Sequence, residues 1–181
     1  VIKSDDGIHI NWPKDYYNTG WWAEPGETKL NKNYQAKITV FEKLFAKAKS
    51  YESSSNIIDL KMESMKGLFT GTKNLYIHAN SAGEMRDAVD FAEKYSVKKI
   101  IFVGGDEALS IASVLKSKNI PVILNRVHRL PKSEDSPVNT PYKQPKKLND
   151  AGILFCLSYE GSMEAMGARN LAFTAGTTVA Y

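Results

Sequence analysis

The sequence predicts an α/β fold in which parallel strands alternate with helices. Short apolar segments typical of strands recur four times after residue 73, as in "KKIIFVGG" and "IPVILN". Between them lie stretches with apolar residues at helical spacing, as in "SAGEMRDAVDFAEKYS". Strands that are apolar almost throughout, separated by amphipathic helices, are typical of a parallel sheet covered by helices.

The composition is that of a water-soluble globular protein. The 181 residues are 43% hydrophobic, which is enough for a proper core and predicts one domain. The net charge of +4 is spread among 20 acidic residues, so nucleic-acid binding is not expected. No apolar run approaches the roughly 18 residues that a membrane span needs, so no membrane partner is expected either. The compartment, cytoplasmic or periplasmic or secreted, stays undetermined because any targeting segment would precede residue 1.

The chain changes character near residue 35. Residues 1–34 contain all three tryptophans among prolines and glycines, which predicts an irregular, aromatic-rich segment packed on the domain. Its tryptophans are interpreted as anchors of a loop, with a lid or substrate wall as the alternative. His9 lies in this segment and receives no functional weight. Residues 35–181 are predicted to form the single α/β domain.

The predicted elements follow one another regularly from residue 34. The stretch "YQAKITVFEKLFAKAKSYE" has apolar residues at helical spacing, and "IIDLKMESMKGLFTGT" suits a short helix that ends at its glycines. A helix is also expected over "DEALSIASVLKSKN" and a brief one near "KKLNDA", and more helix closes the chain. Cys156 is expected to be a buried small hydrophobe, since a single cysteine forms no internal disulfide. The four predicted strands are "NLYIHA", "KKIIFVGG", "IPVILN" and "GILFCLS".

Polar side chains follow each predicted strand at the point where the strand ends. In parallel α/β folds, the carboxyl ends of the strands form the edge at which ligands bind. We therefore expect a site at this edge, built from His78, Asn80, Gly104, Gly105, Asp106, Asn125, Arg126, His128, Ser158, Tyr159 and Glu160.

His78 has several candidate roles at this edge. A neutral imidazole there can bind a metal, act as general acid or base, or polarise a carbonyl, and it can equally be a structural side chain bonded to a loop carbonyl. No HxH, HExxH or CxxC spacing occurs, so the sequence holds no complete metal motif. His128 lies in a proline-rich loop beside Arg126 and Arg129, where a solvated or loop-capping role is favoured over metal binding.

A pair of glycines opens the turn in "FVGGDEA". Backbone N–H groups at the start of a helix can bind an anion. The pattern matches neither GxGxxG nor GxxxxGK[ST], and Asp106 and Glu107 would repel a phosphate while capping a helix well. Capping is the favoured interpretation. A complete open α/β domain that binds a small anion at this turn is kept as an alternative.

Three segments, taken in order, resemble a known family. Together they are similar to the carboxyl-terminal half of the catalytic barrel in the amidohydrolase superfamily, in the branch related to imidazolonepropionase. Members of that superfamily are metal-dependent hydrolases of C–N bonds, and their fold is a (β/α)8 barrel. The resemblance covers roughly residues 35–181 and implies that the chain is a fragment whose four strands are the last four of eight. The segments are "IHANSAGEMRDAVDFAEKYSVKKIIFVGGDEA", "IPVILNRVHRLPKSEDSPVNTPY" and "GILFCLSYEGSMEAMGARNLAFTAGTTVAY".

The resemblance also implies roles for individual side chains and a cofactor. The implied cofactor of the full-length protein is a divalent metal, zinc. For the fragment alone, both metal binding and its absence are left open. A small-molecule substrate with a C–N bond other than a peptide bond, in a cyclic amide or a related compound, is implied as well. The roles are metal ligand for His78, substrate contact for Asn80, Arg126, His128 and Tyr159, and catalytic acid or base for Glu160.

The chain departs from the family pattern at two strand ends. Gly104 and Gly105 stand where many members have a second metal-binding histidine. The stretch "LSYEGS" stands where the family usually has an aspartate, and Glu160 is the nearest carboxylate. These departures make a non-catalytic, amidohydrolase-like binding protein the main alternative to a hydrolase.

A half-barrel has open edges and an uncovered face. Two sheet edges present unpaired backbone groups, and the barrel-lining face, with Ile77, Phe102 and Phe155, loses its opposing layer. The fragment is therefore expected to self-associate, or to form a rearranged open α/β sheet in which the aromatic amino-terminal segment folds over that face. Because the resemblance implies that half of the metal site lies outside the fragment, it is expected to be inactive alone.

Overall fold

Parallel strands alternate with helices in the part of the chain that the structure describes. The computed structural model covers residues 3–21, 23–24, 26–51, 58–131, 135–159 and 164–181. They fall into two compact units, Val1–Ile100 and Ile101–Tyr181. Strands pair in parallel within each unit, so the α/β fold class expected from the sequence is confirmed.

The first unit contains two parallel strands, a small antiparallel ribbon and three helices. Asp59 begins α2 by accepting hydrogen bonds from the N–H groups of Lys61 and Met62, and Gly71, at φ 82°, ends it in the left-handed conformation that glycine favours. The elements are β1 (Gly7–Asn11), β2 (Tyr16–Asn18), β3 (Thr28–Leu30), α1 (Tyr34–Lys49), α2 (Leu60–Thr70), β4 (Asn74–Ala79) and α3 (Ala82–Lys94).

Strand β1 lies inside the segment for which the sequence predicted an irregular course. It pairs in parallel with β4, so that His9 lies opposite Tyr76 and Asn11 lies opposite His78. It adds a fifth strand to the four that were expected. The prediction missed it because the strand has only five residues and is followed at once by the prolines and glycines that dominate this segment.

The two faces of β4 differ in burial. Leu75, Ile77 and Ala79 are buried, and β4 packs with α2 and α3. Tyr76 and His78 alternate with them and are only half-buried. Ile77 was expected on the face that loses its cover, and that prediction is wrong, because the period-two alternation of a strand puts it on the buried face.

The second unit begins with β5 and contains three parallel strands. Register places Phe102 opposite Val122 and Val122 opposite Phe155. The elements are β5 (Ile100–Gly104), a 3₁₀ helix (Ala108–Ile111), α4 (Ala112–Ser117), β6 (Val122–Leu124), α5 (Thr140–Asp150), β7 (Phe155–Leu157), a second 3₁₀ helix (Glu164–Asn170) and α6 (Leu171–Ala180).

Three details of the second unit differ from expectation. Phe102 is fully buried, although it was expected to lose its cover. Cys156 is exposed instead of buried, because β7 is a short strand whose only paired neighbour among the described strands is β6. Helix α5 begins before "KKLNDA", since Pro141 is tolerated in a first turn that needs no N–H donor. In the described residues, no helix is long and apolar enough to cross a membrane.

Candidate active site at the carboxyl ends of the strands

His78 and His9 form the centre of the candidate site in the first unit. Both project from the half-exposed face of the β1–β4 pair, and Nδ1 of His9 lies 3.0 Å from Nε2 of His78. The His9 ring also stacks on Tyr76, with ring centroids 4.4 Å apart and planes within 9°. Two imidazoles thus meet, His78 from near the carboxyl end of β4 and His9 from the middle of β1, where the sequence placed only one.

The hydroxyl of Tyr76 is held by a network of polar contacts around Asp6. Its hydroxyl donates to Oδ2 of Asp6, and the same oxygen accepts from Nδ2 of Asn74 at 2.9 Å. Lys3 lies 2.6 Å from the other oxygen of Asp6. The hydrogen bonds from Lys3, Tyr76 and Asn74 hold the pKa of Asp6 well below its usual range. Tyr76, held in this way, supports the ring of His9.

Gly7 makes this packing of Tyr76 sterically feasible. A Cβ at Gly7 would lie 2.7 Å from Cε2 of the Tyr76 ring, closer than non-bonded carbons approach. The glycine therefore lets the tyrosine ring lie against β1, where His9 stacks on it.

Asn80 follows His78 in a segment that is fixed by a buried carboxylate. Oε2 of Glu84 accepts the backbone N–H of Asn80 at 3.0 Å and that of Ser81 at 3.2 Å, and Glu84 is only 5% exposed. The Ser81 hydroxyl accepts the Glu84 N–H at 3.1 Å, which completes a capping box at the start of α3. Ser81 also donates to Oδ2 of Asp15 at 2.9 Å. The backbone next to the histidine pair is therefore rigidly held.

The polar groups of the turn after β5 in the second unit form hydrogen bonds and an ion pair with side chains of the same unit. Nη2 of Arg129 lies 2.6 Å from Oδ1 of Asp106, in an ion pair whose side chains are 24% and 18% exposed. Gln144, buried, donates from Nε2 to the carbonyls of Gly105 and Asp106 at 2.7 and 3.1 Å. A cavity of about 260 Å³ lies beside this turn and is lined by both acidic and basic side chains. Since Asp106 already holds Arg129, the turn is poorly suited to an anion.

The remaining predicted site residues have structural contacts or lie outside the described part. Nε2 of His128 lies 2.8 Å from the Thr177 hydroxyl, which agrees with a loop-capping role, and Arg126 is exposed. The Tyr159 hydroxyl lies 2.7 Å from that of the buried Thr174. Glu160 lies outside the described residues. Their roles toward a substrate stay predictions.

The histidine pair supplies two donors of the kind that zinc prefers. The two ring nitrogens share a hydrogen bond at 3.0 Å, whose donor depends on the tautomer. A metal ion would replace this hydrogen bond, since two nitrogen ligands at about 2.0–2.1 Å from a tetrahedral zinc ion lie roughly 3.3 Å apart. Among the described residues, no group of three or more His, Cys, Asp or Glu side chains is placed to hold a metal ion. The pair therefore fits only a part of a metal site. A catalytic zinc ion would need at least one further protein ligand.

His9 was missed because the sequence gives little sign of its strand. The informative pattern was "GIHIN", in which two isoleucines alternate with His9 and Asn11. That alternation is typical of a half-buried strand and would place His9 on the polar face.

Comparison with known proteins supports the fold. No protein-family model and no curated protein matches the chain. A solved structure of an amidohydrolase from Thermotoga maritima MSB8 is similar, with a TM-score of 0.61 and 22% sequence identity. The similarity covers 82% of this chain but only 38% of that chain. The chain thus has the fold of part of an amidohydrolase, as the resemblance implied.

Proposed function

We propose that the chain is part of a metal-dependent, amidohydrolase-like hydrolase. The whole protein would act on C–N bonds other than peptide bonds, in a cyclic amide or a related substrate, and its branch would be the one related to imidazolonepropionase. The observation that carries the proposal is the meeting of His9, from β1, with His78, near the carboxyl end of the parallel strand β4, in a chain with this fold.

His78 and His9 would hold the metal together with ligands from the rest of the protein. A divalent ion such as zinc would supply Lewis-acid polarisation of the substrate and activation of water. Tyr76 keeps the His9 ring in place by stacking, and Glu84 fixes the backbone of Asn80 beside the pair. In this proposal Asn80, Arg126, His128 and Tyr159 contact the substrate, and Glu160 acts as acid or base. The chain alone is inactive because it provides too few ligands.

Zinc affinity tests the proposal without requiring activity. Equilibrium dialysis of the chain against zinc is compared with His78→Ala, His9→Ala and the control His128→Ala, whose histidine contacts Thr177. Loss of a direct ligand should lower zinc affinity by about tenfold or more, since even residues behind the ligands contribute ~10–100-fold. We expect both pair variants to lose affinity and the control to keep it. Equal affinity in all four proteins would refute the metal site.

A non-catalytic binding protein is the second candidate. It is favoured by Gly104 and Gly105 at the end of β5 and by the lack of a three-ligand cluster among the described residues. This candidate predicts that the full-length protein purifies without stoichiometric metal and binds a small molecule equally well after chelation. The hydrolase predicts stoichiometric metal that chelation removes together with activity.

A further inference from the structure

A broad groove on the first unit begins beside the strand pair that carries the two histidines, since Asn11, which lines it, lies opposite His78 in the register of β1 and β4. It has a volume of about 1130 Å³ and is formed by the end of β1, the ribbon of β2 and β3, and the first half of α1. This exceeds the roughly 300–1,000 Å³ of typical small-molecule pockets. The described residues that line it are Asn11, Trp12, Pro13, Lys14, Tyr17, Lys29, Leu30, Asn31, Lys32, Asn33, Lys37, Val40 and Phe41.

The groove is positively charged. Lys14, Lys29, Lys32 and Lys37 line it, whereas no described lining residue is acidic. Lys29 lies 3.7 Å from Glu27, in a pair whose side chains are both mostly exposed. No described carboxylate forms an ion pair with the other three lysines. Anionic groups in the groove would therefore find several ammonium groups that the chain does not neutralise.

The walls of the groove are apolar and exposed. Leu30 and Val40 are 61% and 64% exposed, and Tyr17 is 49% exposed. These residues lie on β2, β3 and α1, and the pairing of Tyr17 with Lys29 places the side chains of Tyr17 and Leu30 on opposite faces of the ribbon. Apolar side chains grouped in a concavity and rimmed by charge mark a site of interaction.

Buried contacts hold the groove in shape. Trp12 is only 4% exposed, its ring packs against Phe41, and its Nε1 donates to the Tyr34 hydroxyl at 3.0 Å. Asn31 donates from Nδ2 to the carbonyl of Lys14 at 2.7 Å and from its backbone N–H to the carbonyl of Asp15 at 2.8 Å. A partner would therefore bind a preformed surface, which avoids the entropy lost in ordering one.

The charge, apolar character and shape of the groove together indicate which class of ligand it can bind. A nucleic-acid backbone would satisfy the lysines but leave Leu30 and Val40 without apolar contacts. A flat bilayer surface does not enter a concave groove. We propose that the groove binds a peptide segment of a partner protein in which acidic side chains flank apolar ones. The carboxylates lie against the lysine rim, and the apolar side chains pack on Leu30 and Val40.

A labelled peptide that alternates Glu and Leu is the probe, and fluorescence anisotropy is the measurement. The chain should bind this peptide and not one that alternates Lys and Leu. Binding should weaken as salt rises from about 0.05 to 0.5 M, because exposed charge pairs are screened. Equal binding of the two peptides would overturn the proposal.

Two variants separate the charged and apolar contributions. The double change Lys32→Gln and Lys37→Gln should raise Kd roughly tenfold, since each exposed pair accounts for about threefold. The double change Leu30→Gln and Val40→Gln alters exposed side chains and should raise Kd about fivefold or more. The matched control, Lys43→Gln with Lys61→Gln, removes two exposed lysines of the same unit outside the groove and should leave Kd unchanged.

Two further results would overturn the inference. Unchanged peptide affinity in the Lys32 and Lys37 variant would show that the groove is not the site. Sedimentation of the chain with vesicles of phosphatidylglycerol and phosphatidylcholine, dependent on Lys32 and Lys37 and without any peptide binding, would assign the surface to membranes instead. Neither result bears on the histidine pair, so the proposed hydrolase function is tested separately.

Discussion

Nδ1 of His9 and Nε2 of His78 lie 3.0 Å apart, although the two residues are 69 positions apart in the chain. The parallel pairing of β1 and β4 brings them together, and the stack of His9 on Tyr76 fixes the ring plane. The pair is the feature on which the proposed chemistry depends.

His9→Phe should separate the stacking role of His9 from its nitrogen chemistry. Phenylalanine keeps a flat ring over Tyr76 but removes Nδ1, so the free energy of unfolding should fall by no more than about 1 kcal/mol. Zinc affinity should fall as far as in His9→Ala. Urea unfolding and equilibrium dialysis measure the two effects, and full zinc affinity in His9→Phe would contradict a ligand role.

Asp6 should contribute to stability in a pH-dependent way. Its pKa is lowered in the folded state, chiefly by the hydrogen bond from Lys3, so its contribution is present above the unfolded pKa of about 3.9 and is lost as pH falls below it. Asp6→Asn should flatten the loss of stability below about pH 4. Thermal unfolding between pH 2 and pH 6 measures the slope. Asp5→Asn, which removes the exposed partner of Lys73, is the control and should change the slope less.

Tyr34 connects Trp12 to α3 and should stabilise the first unit. Its hydroxyl accepts from Trp12 at 3.0 Å and donates to Asp87 at 2.7 Å. Tyr34→Phe leaves the N–H of the buried Trp12 without this acceptor, at a cost of about 1–3 kcal/mol in urea unfolding. Tyr16→Phe, at a 54% exposed position, should change little.

The raised pKa of Tyr34 leads us to expect that the stability of the folded chain falls at alkaline pH. Burial raises its pKa in the folded state, so its contribution is complete below the unfolded pKa of about 10 and falls as pH rises above it. The loss of stability above pH 10 should be shallower in Tyr34→Phe than in the unaltered chain. Identical alkaline slopes in the two proteins would show that Tyr34 does not determine this limit.

Glu84 should be the main support of the segment that carries Asn80. Glu84→Ala removes the acceptor of the Asn80 and Ser81 N–H groups and should lower the unfolding free energy by about 1–3 kcal/mol. Ser81→Ala, which removes the cap and the hydrogen bond to Asp15, should cost about 1 kcal/mol. Glu93→Ala, an exposed position on the same helix, is the control. A loss in Glu84→Ala no larger than in Glu93→Ala would contradict this role.

We also propose that the chain alone self-associates through strand edges. Among the described strands, β7 pairs only with β6, and Leu154 beside it is 75% exposed. Light scattering should give a mass above that of a monomer, rising with concentration, and Leu154→Lys should reduce it because an edge lysine opposes pairing. Leu60→Lys, at a 79% exposed position on α2, should leave the mass unchanged. A monomer at all concentrations would refute the proposal.

The alternation of strands and helices and the position of His78 at a strand end could be predicted from local sequence patterns. Strand β4 begins and ends where "NLYIHA" does, and α1 begins at Tyr34, because long apolar periods and turn residues act locally. The polar residues that follow the strands could be predicted for the same reason, since they are adjacent in the sequence to the apolar segments. The first helix needs no distant partner to be recognised.

Contacts between residues that are distant in the sequence, such as His9 and His78, could be found only from the folded structure. The sequence of β1 has too few residues to be distinguished from the loop around it, and the strand exists because β4 provides its hydrogen-bonding partner. His9 therefore reaches His78 through the register of that pairing, and the lysines from the loops and from α1 share one groove through the packing of Trp12. Such contacts depend on strand pairing and burial across long separations, and local patterns do not contain that information.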